Sequence, residues 1–151
     1  NAVVDSVLEL AEQDYDLRKR FDFRAIKIVV VPGEIPQVMC VESQIQQVIL
    51  NILRNAAQAL SGTAEPQIRI STRFAEGFVQ VRIEDNGPGM DEAVRMRVFE
   101  PFYSTRQAGD GTGLGLTVAY YIVVNGHSGR IEVESEKGKG SSFTVILPPL
   151  G

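Results

Sequence analysis

The stretch Ile68-Arg69-Ile70-Ser71-Thr72-Arg73-Phe74-Ala75-Glu76-Gly77-Phe78-Val79-Gln80-Val81-Arg82-Ile83 contains two alternating runs. Ile68, Ile70 and Thr72 share one face, and Val79, Val81 and Ile83 share another, which is the period of a β-strand. Between them Phe74-Ala75-Glu76-Gly77 predicts a hairpin loop. Strands that follow one another this closely favour a mixed or antiparallel sheet over strictly alternating parallel units.

On the N-terminal side, Ile45, Val48, Ile49, Ile52, Leu53, Ala56 and Leu60 recur at i, i+3, i+4 and i+7, so the spacing predicts a helix that ends near Gly62. Gln47, Asn51, Asn55 and Gln58 form a second, polar stripe expected on the opposite side. Ile26 to Val31 is β-branched and stops at Pro32-Gly33, which predicts a strand and a turn. Val3, Val4, Val7, Leu8 and Ala11 predict an amphipathic helix from residue 2 to about 17. On the C-terminal side a short helix is expected over Asp91 to Val98, ending before Pro101. A loop follows at 102–112, then an apolar helix from about Leu114 to Val124. Strands near 130–135 and 142–147 are joined by the turn Lys137-Gly138-Lys139-Gly140. The resulting order implies a two-layer α/β sandwich with a mixed sheet covered by helices on one face.

The composition agrees with one domain over 1–151: the chain has 151 residues, of which 44% are hydrophobic. No apolar run nears the ~20 residues of a bilayer span, so no membrane contact is expected. No signal peptide opens the chain, and its abrupt helical start suggests a piece of a longer protein. The net charge of −4 gives no electrostatic case for nucleic acid, yet backbone N–H groups can hold phosphate without positive side chains. The single cysteine, Cys40, points to a buried structural thiol and a reducing, cytoplasmic compartment.

Three constellations carry chemistry. Gln47, Asn51 and Asn55 lie four apart and stack on one helix face. A carboxamide oxygen is a neutral, hard ligand suited to Mg²⁺ beside phosphates; an ordinary solvated face is the alternative. Glu84-Asp85-Asn86-Gly87-Pro88-Gly89-Met90 follows a strand directly. A carboxylate at Asp85 can accept from an adenine amino group, and Gly87 and Gly89 let backbone approach a flat ring; a plain turn is the alternative. Gly109-Asp110-Gly111-Thr112-Gly113-Leu114-Gly115-Leu116 opens a helix with exposed N–H groups, an anion site by dipole and by free donors. It is neither the dinucleotide fingerprint nor a Walker loop, since no strand leads into it within a βαβ unit and no Gly-Lys-Ser/Thr follows. A flexible linker is the alternative, but a linker would not run straight into an apolar helix.

Asn51-Ile52-Leu53-Arg54-Asn55-Ala56, Asp85-Asn86-Gly87-Pro88-Gly89, Phe99-Glu100-Pro101-Phe102 and Gly111-Thr112-Gly113-Leu114-Gly115-Leu116 resemble, in order and spacing, the N, G1, F and G2 boxes of sensor histidine kinases. Gly138-Lys139-Gly140-Ser141-Ser142-Phe143-Thr144 resembles the family's further glycine element. The resemblance covers essentially the whole chain, and Arg54-Asn55-Ala56-Ala57-Gln58-Ala59 looks most like the nitrogen-regulation and oxygen-sensing branch.

The resemblance implies the Bergerat α/β sandwich shared with gyrase, the large heat-shock chaperones and mismatch-repair ATPases. It implies ATP and Mg²⁺ as ligands, with Asn55 on the metal and Asn51 close to the phosphates. Asp85 should take the adenine amino group, with Gly87 and Gly89 lining the base. Residues 102–112 should form a lid whose Arg106 meets the γ-phosphate. Phe102, Thr112, Gly113, Leu114, Gly115 and Leu116 should face the nucleotide, and Thr144 should help a water bridge to adenine. The implied reaction is transfer of the γ-phosphoryl group to a histidine on a separate dimerisation domain of the parent kinase, absent from 1–151, with a response regulator downstream.

Two readings from other classes remain: a Bergerat ATPase, and a nucleotide-gated binding module without transfer. In the ATPases a glutamate four residues before the metal asparagine activates water; here that position is Asn51, which argues for phosphoryl transfer. Gln58 and Ala59 replace the lysine and aromatic residue common after the metal asparagine, and Arg54 is a candidate for the missing charge. The only histidine, His127, stands in a glycine-flanked turn and reads as structural rather than as the phosphoacceptor.

Overall fold

The computed structural model describes residues 1–13, 25–100 and 115–149. Helix α1 spans Ala2–Gln13 and strand β1 Lys27–Val31. Helix α2 spans Glu42–Ala59, β2 Gln67–Ala75 and β3 Phe78–Asp85. The short α3 covers Glu92–Arg95, and α4 covers Gly115–Tyr121 and continues as a π-helix over Ile122–Gly126. Strands β4, Arg130–Glu136, and β5, Gly140–Leu147, complete a five-stranded sheet in the order β1-β2-β3-β5-β4. β1 runs parallel to β2, and the other three pairings are antiparallel. The mixed sheet expected from the two alternating runs is therefore present.

The registers sort the two faces. Rows Val30–Ile70–Ile83–Phe143–Val133 and Thr72–Val81–Val145–Ile131 cross the inner face. Of these, Ile70, Ile83, Phe143, Val81, Val145 and Ile131 join Val4 and Val7 of α1, Ile45, Val48, Ile49, Ile52 and Leu53 of α2, and Ala119 and Val123 beyond in one core, with Val133 packed against it and Val30 exposed at the edge. The outer face carries Arg69, Arg73, Arg82, Glu84, Glu132 and Glu134 instead, none of which belongs to that core. One apolar and one charged face is the signature of a sheet covered by helices on one side only.

The hairpin between β2 and β3 is tighter than the four residues expected. Ala75 pairs with Phe78, and Glu76 and Gly77 both have positive φ, the two-residue turn that matches strand twist. The helix expected over 91–98 is a single turn: Asp91 caps it by accepting from the Val94 N–H, and hydrogen-bonded turns carry the chain onward to Glu100. The helix expected to stop at Val124 runs to Gly126, because one wider turn absorbs the chain's approach to Gly129, whose N–H reaches the Val123 carbonyl.

Candidate nucleotide site

The site is built along α2. Its polar stripe does not lie opposite the core, as the spacing predicted. Asn51 is buried, and α4 packs over that flank. The Asn51 carboxamide donates through Nδ2 to the carbonyl of Gly115, 2.9 Å, and its Oδ1 accepts from Gln47 Nε2, 2.7 Å. This joins α2 to the end of the glycine-rich run. Asn55 lies one turn further along, half-buried. One more turn brings Ala59, whose carbonyl would lie 3.2 Å from a Cβ placed on Gly87. The stripe thus leads from Gly115 at one end to the Asp85–Gly87 turn at the other, about 12 Å at the rise of an α-helix.

Asp85 ends β3 in the last inner-face row, Ile28–Ile68–Asp85–Ser141–Ser135. It is the one buried carboxylate among the described residues. Burial raises its pKa above the ordinary aspartate value, opposed by hydrogen bonds from the backbone N–H groups of Gly87 and Ser141. Gly87 N–H lies 2.9 Å from Oδ1. A carboxylate oriented by two donors retains lone pairs that can accept a further hydrogen bond.

Glycines hold this corner together by close backbone approach. A Cβ on Gly89, where φ is +71°, would stand 2.1 Å from the Glu136 carbonyl oxygen. A Cβ on Gly140, where φ is +98°, would stand 2.1 Å from the Asp85 carbonyl oxygen. The Gly87–Met90 turn is strapped to the β4–β5 hairpin by Gly138 N–H to the Pro88 carbonyl, 2.6 Å, and Met90 N–H to Ser135 Oγ, 2.7 Å. Asn86 ties the turn to the other side, accepting from Gln67 N–H, 2.7 Å, and donating to the Glu65 carbonyl, 3.0 Å.

Thr144, expected near adenine, stands on the face of the sheet away from Asp85. It pairs with Arg82 and Glu132 on the outer face, whereas Asp85 belongs to the inner one. Ser141 is the β5 residue that pairs with Asp85 on the inner face. The alternation Phe143, Val145, Leu147 carried this signal, since it sends odd-numbered residues of β5 inward and Thr144 outward. Ser141 Oγ and Ser135 Oγ are 2.7 Å apart. The Phe99 ring packs against Tyr120 at 5.2 Å and edge-on against Phe143 at 6.2 Å, and its carbonyl accepts from Thr117 Oγ1. Leu116 packs partly against the core, while Gly115 is exposed and engages Asn51 through its carbonyl. Phe102, Arg106, Thr112, Gly113 and Leu114 lie outside the described residues.

His127 is buried, with Nδ1 3.0 Å from the Ile122 carbonyl. A carbonyl only accepts, so Nδ1 donates, and Nε2 is left to accept from the Val41 N–H at 3.0 Å. The ring therefore ties the start of α2 to the Ile122 carbonyl.

The family model described as histidine kinase-, DNA gyrase B-, and HSP90-like ATPase matches residues 40–151. The chain belongs to that family. Among relatives of this ATPase-family domain, the signal transduction histidine-protein kinase AtoS of Escherichia coli is 39% identical over 149 residues, 98% of this chain and 23% of AtoS. Sporulation kinase E of Bacillus subtilis is 40% identical over 115 residues, 76% of this chain and 15% of that kinase. The chain thus spans less than a quarter of either. The solved mycobacterial sensor histidine kinase MprB superposes with a TM-score of 0.78 at 24% identity, over 99% of this chain and 96% of that one. Full-length ShkA in complex with AMPPNP gives 0.79 at 26% identity, over 97% of this chain and 29% of that one. The fold is that of a histidine kinase catalytic domain, and ATP is the nucleotide of the family. No helix among the described residues is long and apolar enough to cross a membrane.

Proposed function

We propose that this ATPase-family domain binds Mg·ATP between α2 and the Asp85 turn and transfers its γ-phosphoryl group to a histidine carried by a separate dimerisation domain. The observation that carries the reading is Asp85, a buried carboxylate already oriented by two backbone donors, at one end of a carboxamide stripe that ends at the glycine-rich run. Adenine supplies a further donor through its amino group, with Gly87 at the ring and Ser141 beside it. Asn55 is the metal ligand. Its half-buried carboxamide fits Mg²⁺, and among the described residues no group of three or more acidic, histidine or cysteine side chains forms an all-protein cage. That suits an ion held by one or two protein oxygens and by phosphates. When bound, the ion would offset charge on the phosphates. Gly113 and Leu114 are assigned to the phosphates, with Phe102, Thr112 and Arg106 on the lid.

Asn51 favours transfer over hydrolysis. A general base for water must take up a proton, as a carboxylate or imidazole does, whereas Asn51 is a non-basic carboxamide with both ends already bonded. An imidazole acceptor is itself a good nucleophile, so the domain's task is positioning and charge stabilisation. That acceptor is not His127, whose two nitrogens are both engaged in holding helices. AtoS and sporulation kinase E are named as kinases and are much longer than this chain, which supports placing the acceptor and any response regulator outside it.

The test is calorimetric titration of the 151-residue chain with ATP and Mg²⁺, followed by incubation with a histidine-bearing dimerisation domain and labelled ATP. Saturable binding lost in Asp85→Asn, with acid-labile label on the added domain, is expected. No binding by folded chain, or brisk phosphate release without transfer, overturns the proposal.

A further inference from the structure

We infer that Gln47 is a positioning residue for the phosphate end of the site, because its donation to the Asn51 oxygen holds that carboxamide in the direction the Gly115 carbonyl demands and so secures the root of the glycine-rich run at Gly115. The functional consequence rests on the nucleotide reading above; the geometry stands apart from it. The Gly115 carbonyl can only accept, so Asn51 must present its amino group there, 2.9 Å away. The Asn51 oxygen then faces the opposite way and needs a donor. Gln47 Nε2 supplies one at 2.7 Å, while Arg54 Nη1 at 3.5 Å is a far weaker one. The polarity of the whole relay, Gln47 to Asn51 to Gly115, is thereby dictated from its last atom.

Burial gives the relay its leverage. Asn51 is 6% exposed, so its carboxamide cannot exchange either partner freely for water. A Cβ on Gly115 would sit 3.9 Å from Asn51, so backbone and side chain are already in contact there. Gln47 lies one turn before Asn51 on the same face and is itself exposed. It therefore adds little to the core while supplying the donor that the buried amide's oxygen needs. Glutamate at 47 would set acceptor against acceptor. Asn51 would then have to turn its amino group to residue 47 and its oxygen onto the Gly115 carbonyl, which releases the root of the run.

The experiment compares Mg·ATP affinity and Tm for wild type, Gln47→Ala, Gln47→Glu, Asn51→Ala and the Gln47→Glu/Asn51→Ala double variant. Affinity is expected to fall about threefold in Gln47→Ala and about tenfold in Gln47→Glu, with Tm falling by only about 2–4 °C in either, since Gln47 itself is exposed. In the Asn51→Ala background the glutamate is expected to change affinity less than about twofold, because Gln47 acts only through Asn51. Wild-type affinity in Gln47→Glu overturns the inference, as does a tenfold loss that persists without Asn51, which would mark simple repulsion of phosphate. If wild-type chain binds no ATP, the nucleotide reading fails, and the relay is judged on its own by the Asn51 side-chain amide protons. Slow exchange in wild type and fast exchange in Gln47→Glu sustains it; equal exchange in both overturns it.

Discussion

Asp85 shows how a binding residue works against the fold that carries it. Burial pushes its carboxyl pKa up, and the N–H groups of Gly87 and Ser141 offset only part of that. The folded chain therefore keeps the proton to higher pH than the unfolded chain does. From the ordinary aspartate range up to the raised value the unfolded state binds fewer protons, so stability falls as pH rises, and above it the full cost remains. Asp85→Asn should accordingly keep or raise Tm at neutral pH while weakening ATP binding at least tenfold, as paired melting and titration would show. Affinity in the wild type should climb as pH rises through and above the ordinary aspartate range, since only the ionised carboxylate is purely an acceptor; a flat profile would remove Asp85 from the adenine contact. Ser141 and Thr144 separate just as cleanly. Ser141→Ala should weaken ATP by about three- to tenfold, and Thr144→Ala should leave affinity unchanged, because the two hydroxyls stand on opposite faces of β5. Asp85 was legible in Glu84-Asp85-Asn86-Gly87 from its place at a strand end. Ser141 was legible too, through the parity of Phe143 and Val145, but the residue type of Thr144 drew the reading away from it.

Among the elements, the turn after β3 and the hairpin β4–β5 behave as one unit. Gly138 and Gly140 hold Pro88 and the end of Asp85 by backbone contact, and the Ser135 hydroxyl holds Met90. Gly140→Ala places a methyl group 2.1 Å from the Asp85 carbonyl at a φ of +98°. Strain and overpacking together predict a loss of about 2–4 kcal/mol, measurable by chemical denaturation, whereas Gly77→Ala meets no atom within 4 Å and should cost only the positive φ. The sequence marked Gly87 and Gly89 as places where backbone approaches a ring. The packing at Gly89 supplies a reason of its own, the Glu136 carbonyl, which depends on a hairpin some fifty residues downstream and could not be read locally. Helix α2 divides the same way. Its apolar period was plain from Ile45 to Leu60, yet Asn51 flanks that period so closely that only the presence of α4 decides whether it is wet or buried. The wide turn at Ile122–Gly126 had no signal, because it answers to where His127 must sit between Ile122 and Val41.

For the whole molecule, two alternating runs were enough to foresee a mixed sheet with one covered face, since period two and a short turn leave few alternatives. What they could not supply was the strand order. β5 enters between β3 and β4, so that the last segment of the chain lies beside the middle one. This insertion has a kinetic consequence. The hairpins β2–β3 and β4–β5 close short loops and are cheap to form early, but the β3–β5 seam joins distant segments, and such pairing is slow. Asp85 and Ser141 face each other across that seam. In a refolding experiment, a fluorescent ATP analogue should gain signal only with the slowest phase, while strand content detected by far-ultraviolet dichroism rises earlier. A chain caught half-made would then hold both hairpins and still be blind to the nucleotide, so that competence to bind serves as a certificate that assembly has finished.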